Sequence, residues 1–250
     1  MNYEGINAPM HRAPHAVAVD LGAAEAAPAG VAGSRPARRT GALYGFTKRT
    51  LDLVVAMLLV IVLSPLLLLV ALLVRVTSAG PAIFRQTRIG QDGRPFTMYK
   101  FRSMHAGADP HVHQMAIQKY IRGELLTESS PKVRFKLTKD MRVTPLGKVL
   151  RKTSIDELPQ LFNVIRGEMS LVGPRPALPY ELPHFSESAL VRLSVPQGIT
   201  GLWQVRGRGQ ATWEQSLALD VEYAEHCSFL LDCKILLLTI RSLVFAVGGA

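Results

Sequence analysis

The longest uninterrupted apolar stretch runs from Leu53 to Val74, 22 residues without a charge. As one helix it would be about 33 Å long, enough to cross a hydrocarbon core. Ser64-Pro65 sits at its middle, where proline removes a backbone hydrogen bond and kinks a helix. Lys48 and Arg49 precede the run, and Arg75, Arg85 and Arg88 follow it. Positive charge at both ends is not the asymmetry of a simple crossing. The pattern predicts a membrane helix over 46–78 that breaks at Ser64-Pro65 and returns to the face it entered. A spanning helix and a buried core helix are the alternatives.

Beyond the run the pattern is finer-grained. Ala82–Arg85 and Phe96–Arg102 flank the turn Gln91-Asp92-Gly93-Arg94, which predicts a hairpin. Residues 105 to 135 are polar with a weak helical pattern. Thr144-Pro145-Leu146-Gly147 begins a helix carrying Val149 and Leu150. Leu158, Leu161, Phe162 and Ile165 follow at i, i+3, i+4 and i+7, predicting one buried stripe of a short helix. Pro159 suits its start and Gly167 its stop. Glu187–Leu193 and Trp213–His226 read as helices. Phe229–Val247 is apolar but holds Asp232, Lys234 and Arg241, which suits an interfacial or buried helix. Residues 1–45 are rich in Ala, Gly and Pro without hydrophobic period, the signature of a disordered tail, and contain no secretory h-region. The expected architecture is therefore α/β and helix-rich. It has a tail (1–45), a re-entrant membrane helix-break-helix (46–78) and a small cytoplasmic catalytic domain (79–250) with amphipathic interfacial helices.

Charge narrows the partners. A formal net charge of +10 and a pI near 9.9 point to phosphate, nucleic acid or acidic lipid. No nucleic-acid-binding motif is present, so nucleic acid is not an expected partner. Cys227 and Cys233 have neither CxxC spacing nor a nearby histidine pattern and read as free thiols. His105, His111 and His113 lack a second ligand cluster at fixed spacing and read as solvated.

The candidate chemistry gathers between Thr153 and Pro176. Asp156 and Glu157 are adjacent carboxylates at the mouth of the short helix, and Arg175 lies between two prolines in Gly173-Pro174-Arg175-Pro176. Ser154 or Asp156 as N-cap, with Ser154 and Glu157 at capping-box spacing, is the competing reading of the acidic pair. Arg175 in an ordinary surface turn is the competing reading of the arginine. Arg142 and Arg151 would neutralise phosphate beside the carboxylates, or form a solvated basic face. Lys100 and Arg102 are either phosphate contacts or an exposed strand face. Arg206-Gly207-Arg208-Gly209 is a loop suited to phosphate, though a weak motif by itself.

Five segments taken in order resemble the bacterial sugar transferase family of monotopic phosphoglycosyl transferases. They are Lys48-Arg49 with the Ser64-Pro65 break, Tyr99–Met104, Asp156–Gln160, Ser170–Pro176, and Pro196–Gln204. The match spans about residues 44 to 245. The resemblance implies transfer of sugar 1-phosphate from a UDP-sugar to undecaprenyl phosphate. UMP is released, and exopolysaccharide or glycoconjugate synthesis begins at the cytoplasmic face of the bacterial inner membrane. It implies Asp156 as the nucleophile of a covalent phosphosugar intermediate, Glu157 as a ligand of Mg2+, and Arg151 and Arg175 near the phosphates. A non-catalytic membrane scaffold that keeps the fold is the alternative, and one with no need of Asp156, Glu157 or Arg175. The segment from His105 to Pro131 is longer than in the smallest family members and has no role assigned by the resemblance.

Overall fold

In the computed structural model, residues 41–109, 111–124, 140–207 and 211–248 are described. The expected tail up to residue 40, and Arg208-Gly209 of the basic loop, lie outside them. The apolar run forms α1 (Ala42–Thr77), a single 36-residue helix that already includes residues 42–45. Pro65 lies inside it without ending it. The Ser64 hydroxyl donates to the Ile61 carbonyl at 2.8 Å, the acceptor that an N–H at position 65 would have used. The gap in the backbone ladder is thus closed by the residue beside the proline. One side of α1 is bare, with Leu58, Ile61, Val62, Leu68 and Leu69 exposed. On the other side, Ala56 shares a core with Leu161, Val164 and Leu171, and Val70 and Val74 share another with Phe101 and Leu150.

The first turns of α1 are fastened by polar groups. Lys48 is buried and pairs with Asp232 at 2.8 Å. The Tyr44 hydroxyl donates to the same carboxylate oxygen at 3.0 Å, and the Tyr223 hydroxyl lies 2.7 Å from the other oxygen. Arg49 donates to the Val164 and Ile165 carbonyls at 2.6 and 2.9 Å, and Asp52 accepts from the Leu171 N–H at 3.1 Å. Lys48 and Arg49 were read from sequence as flanking charges that report topology. They are instead internal partners of the fold.

Strands β1 (Ile83–Ile89) and β2 (Pro95–Phe101) form the expected hairpin, with Ile83 opposite Phe101 and Ile89 opposite Pro95. Asp92 (φ 54°) and Gly93 (φ 73°) occupy the left-handed region in the connection. Helix α2 (His111–Ile121) follows. Helix α3 (Pro145–Thr153) is capped by Thr144, whose side chain accepts from the Gly147 N–H. Gly147 lies against the Ser103 backbone, where a Cβ would collide with the carbonyl. Helix α4 (Gln160–Arg166) ends at Gly167 (φ 81°), as its sequence predicted.

The stripe assigned to α4 differs in part. Leu161 is buried, but Phe162 is exposed, and Asn163 and Val164 take the inner positions. The reason is polar. Asn163 accepts from the Tyr99 N–H at 3.1 Å and donates to the Thr97 carbonyl and to Glu168, both at 2.7 Å. It thereby extends the edge of β2 as a further strand would.

Two three-residue strands, β3 (Ser170–Val172) and β4 (Gly198–Thr200), pair in parallel. Neither was read as a strand from sequence. Gly173 and Gly198 approach backbone to backbone, and a Cβ on either would strike the other segment. Helices α5 (Leu202–Arg206), α6 (Trp213–His226) and α7 (Phe229–Gly248) complete the chain. Among the described residues the fold is helix-rich α/β, with two small sheets and one long apolar helix.

Replacing Asn163 by Ala leaves the part-buried Tyr99 N–H and Thr97 carbonyl without their protein partner. The expected cost is roughly 2 kcal/mol, at about 1 kcal/mol for each of the two bonds lost. A thermal melt in detergent should show a midpoint several degrees below wild type.

Candidate active site

Ser154, the residue that ends α3, has φ 58° and ψ 15°, an unfavourable region for a residue with a side chain. It makes no side-chain cap bond, so the capping-box reading of Ser154 and Glu157 does not hold. Its conformation turns the chain sharply into a single 3-10 turn, Ile155–Glu157. Successive side chains in such a turn diverge by about 120°. Asp156 accordingly points inward, 8% exposed, while Glu157 stays half-buried beside Lys100.

The two carboxyls titrate in opposite directions. Burial pushes Asp156 up to about 6, with the neighbouring Glu157 adding to the rise and Lys100 and Arg151 opposing it. Burial also pushes Glu157 up, but Lys100, Arg175 and Arg88 together outweigh it and hold the group below the usual carboxylate range. Lys100 donates to Glu157 Oε1 at 2.8 Å. Burial, with Arg175 and Arg88 nearby, lowers the lysine against the opposing pull of Glu157.

Met98 and Lys100, two apart on one face of β2, point into a small cleft of about 30 Å³. Arg88, Glu157, Gln160, Arg175 and Gln204 are among its other lining residues. Arg175 is delivered by a turn in which three successive carbonyls are occupied. Pro174 O accepts from the Gly198 N–H at 2.8 Å, Arg175 O from Arg192 at 2.6 Å, and Pro176 O from Arg88 at 3.0 Å. Arg192 is itself fixed by buried Asp220, with Nη2 at 2.6 Å and Nε at 3.1 Å from one oxygen. The Arg175 guanidinium makes no hydrogen bond to the described residues, so the turn is rigid and its charged group is available.

The other expected phosphate contacts are placed differently. Arg151 is exposed, with Nε donating to the Ser103 hydroxyl at 3.0 Å, and its charge bears on Asp156. Arg102 is buried at the end of α1, donating to the Ser78 carbonyl and hydroxyl at 2.8 and 2.9 Å. Arg142 forks onto Asp140 at 2.7 and 2.8 Å. Neither Arg102 nor Arg142 lines the cleft. His105 and His111 are exposed, and Cys227 and Cys233 are free thiols.

Reading the sequence residue by residue missed Arg88, Gln160, Gln204 and the Arg192–Asp220 pair. For Arg88 the signal was present in the hairpin. The register sets Arg88 opposite Phe96 and Phe84 opposite Lys100, so Arg88 and Lys100 share a face. Among the described residues no three His, Cys, Asp or Glu side chains form a metal-binding group. Glu157 Oε2 accepts no hydrogen bond from them. One free carboxylate oxygen beside a cleft fits Mg2+, which keeps several waters and takes substrate phosphate oxygens as ligands.

The model of the bacterial sugar transferase family matches residues 43–246. The exopolysaccharide production protein ExoY of Sinorhizobium fredii is 39% identical over 215 residues, covering 85% of this chain and 93% of that one. The UDP-glucose:undecaprenyl-phosphate glucose-1-phosphate transferase of Caulobacter vibrioides is 44% identical, covering 79% and 69%. The undecaprenyl-phosphate galactose phosphotransferase of Salmonella typhimurium is 38% identical over 78% of this chain and 40% of its own length.

The raised Asp156 also makes stability depend on pH. Its folded pKa lies above the ordinary value of 3.8, so burial contributes stability only while the group is protonated. That contribution is complete below about pH 4 and is lost as the pH rises through about 6. Asp156→Asn, which cannot ionise, should therefore be more stable than wild type at pH 7.5, on the order of 2–3 kcal/mol. Melting curves of both proteins from pH 4 to 8 should converge at the acidic end; a constant gap would show that the Asp156 charge is not penalised.

Proposed function

The chain belongs to the bacterial sugar transferase family, and on that premise we propose that it transfers sugar 1-phosphate from a UDP-sugar to undecaprenyl phosphate. UMP leaves, and undecaprenyl diphosphate sugar opens exopolysaccharide or glycoconjugate assembly. The observation that carries this reading is the division of labour between two neighbouring carboxyls. Asp156 is buried and raised to about 6, ionised at neutral pH but poorly solvated. Glu157 is held as a carboxylate by Lys100, Arg175 and Arg88. A desolvated carboxylate beside cations is suited to attack phosphorus, because the cations offset the repulsion between two anions.

In the first step an Asp156 oxygen bonds to the sugar-bearing phosphorus and the bond to the UMP oxygen breaks. In the second, an oxygen of the lipid phosphate attacks that phosphorus and frees Asp156. Lys100 and Arg175 hold the diphosphate, and Arg151 supplies positive charge on the Asp156 side. Glu157 would hold Mg2+, which supplies further charge neutralisation when bound.

The membrane reading rests on how α1 meets the rest of the chain. Contacts to the same body run from Lys48 through Ala56, Val70 and Val74 to Ser78, which takes Arg102. A spanning segment needs about 20 residues in lipid, and α1 has no such length clear of these contacts. A helix that dips into one leaflet and returns keeps the exposed Leu58–Leu69 surface in lipid and the body at the cytoplasmic face. Ser64 then satisfies a carbonyl that has no water to turn to.

Incubation with candidate UDP-sugars and Mg2+, without lipid, should add one sugar phosphate to the intact protein mass, and Asp156→Asn should show no adduct. An unchanged wild-type mass across a full panel of donors, with UMP release absent too, would overturn the transfer reading. For topology, single cysteines at either end of α1 in a cysteine-free background should label from one face. Pro65→Leu restores the backbone hydrogen bond that the proline forgoes within α1 and should move one label to the opposite face; unchanged labelling would refute a part for the proline in the topology.

A further inference from the structure

Arg88 has an unusual set of partners. Its side chain is 3% exposed and lines the cleft beside Glu157 and Arg175. Nη1 donates to the Pro176 carbonyl and Nη2 to Gln86, each at 3.0 Å, but Nε is buried with no protein partner. No carboxylate forms an ion pair with it among the described residues. A buried guanidinium without a counter-ion is costly, and here Lys100 and Arg175 share the same small space. An anion entering the cleft would relieve the repulsion and receive the remaining N–H.

Resting on the transferase reading, we infer that Arg88 is a phosphate-binding residue of the nucleotide side of the donor, acting together with Arg175. Nη1 fixes the turn that carries Arg175, Nη2 is held within β1 by Gln86, and Nε is left for the ligand. One side chain thus shapes the site and completes it. The shared chemistry is a phosphoryl oxygen, which either the nucleotide or the lipid phosphate could supply. The nucleotide is favoured because none of the cleft's lining residues comes from α1 or α7, the helices with exposed apolar surface. Glu157 lines the cleft, whereas its chain neighbour Asp156 is buried and does not. The leaving phosphate would lie on the cleft side and the attacked phosphorus toward Asp156. Burial and the Arg175 charge depress the Arg88 guanidinium to about 10, so it remains protonated at neutral pH.

The test is Arg88→Lys in the full chain, compared with wild type. Lysine keeps the charge but cannot hold two carbonyl-type acceptors and an anion with a planar fork. Calorimetric titration with UMP and with uridine, melting midpoints, and the KM values for donor and for polyprenyl phosphate are measured together. The expected result is UMP binding weakened about tenfold or more and donor KM raised by a similar factor. Uridine binding and polyprenyl phosphate KM should stay within about twofold, with the melting midpoint within a few degrees. A second variant, Gln86→Ala, removes a neighbouring bond of Arg88 but no cleft group and should leave UMP binding unchanged. Unchanged UMP affinity in Arg88→Lys overturns the inference, as does equal weakening of UMP and uridine, which marks a structural role. A rise in polyprenyl phosphate KM alone assigns Arg88 to the lipid and overturns the nucleotide placement. Wild type that binds UMP but turns over no donor would defeat the transferase reading while leaving the phosphate site intact.

Discussion

Everything in this molecule hangs on one buried carboxylate, Asp232, at the foot of the long apolar helix. It receives Lys48 and Tyr44 from α1 and the Tyr223 hydroxyl from α6, and that hydroxyl also lies 3.1 Å from the Val172 carbonyl of β3. Four elements are therefore referred to one charge. Removing either ion partner would leave the other buried and unpaired, the situation in which such pairs matter most. Arg49 on the carbonyls at the end of α4 and Asp52 on the Leu171 N–H repeat the link within one further turn. The helix with the greasiest surface is held to the body by its polar residues.

The site itself is a controlled imbalance. Lys100, Arg88 and Arg175 converge on one carboxylate, Glu157, whose ionised state they enforce. Asp156, one residue away, receives less of that field and is governed by desolvation. A 3-10 turn entered through a left-handed serine separates the two environments within a single peptide step. The Arg192–Asp220 pair adds no charge to the cleft, but through the Arg175 carbonyl it fixes where the third cation stands.

Much of this was legible because it obeys local rules. The Asp-Gly turn produced its hairpin, Thr144-Pro145 its helix start and Gly167 its helix stop. The acidic pair and Arg175 stood out by residue type and spacing. What was hidden depended on distant partners. Asn163 sits where periodicity gives Phe162, because its amide completes a strand edge far away in sequence. Strands β3 and β4 are too short to show alternation, and their pairing is permitted by glycines rather than signalled by side chains. Arg102 and Arg142 looked equivalent to Lys100 and Arg175, since sequence shows a charge but not the acceptor that already holds it.

The two-patch seam between α1 and the body, around Ala56 and around Val70 and Val74, has a mechanical meaning. A catalytic unit hung from its anchor by a loose linker samples many heights above a lipid surface, and its encounter with a lipid-borne group is set by that distribution. Here side-chain packing extends from Ala56 to Val74 on the helix and reaches the strands and turns around the cleft. For a substrate whose phosphate travels in the plane of a bilayer, that seam acts as a ruler. On the proposed reading it would fix the elevation of Asp156, so that finding the partner would become a search in two dimensions rather than three.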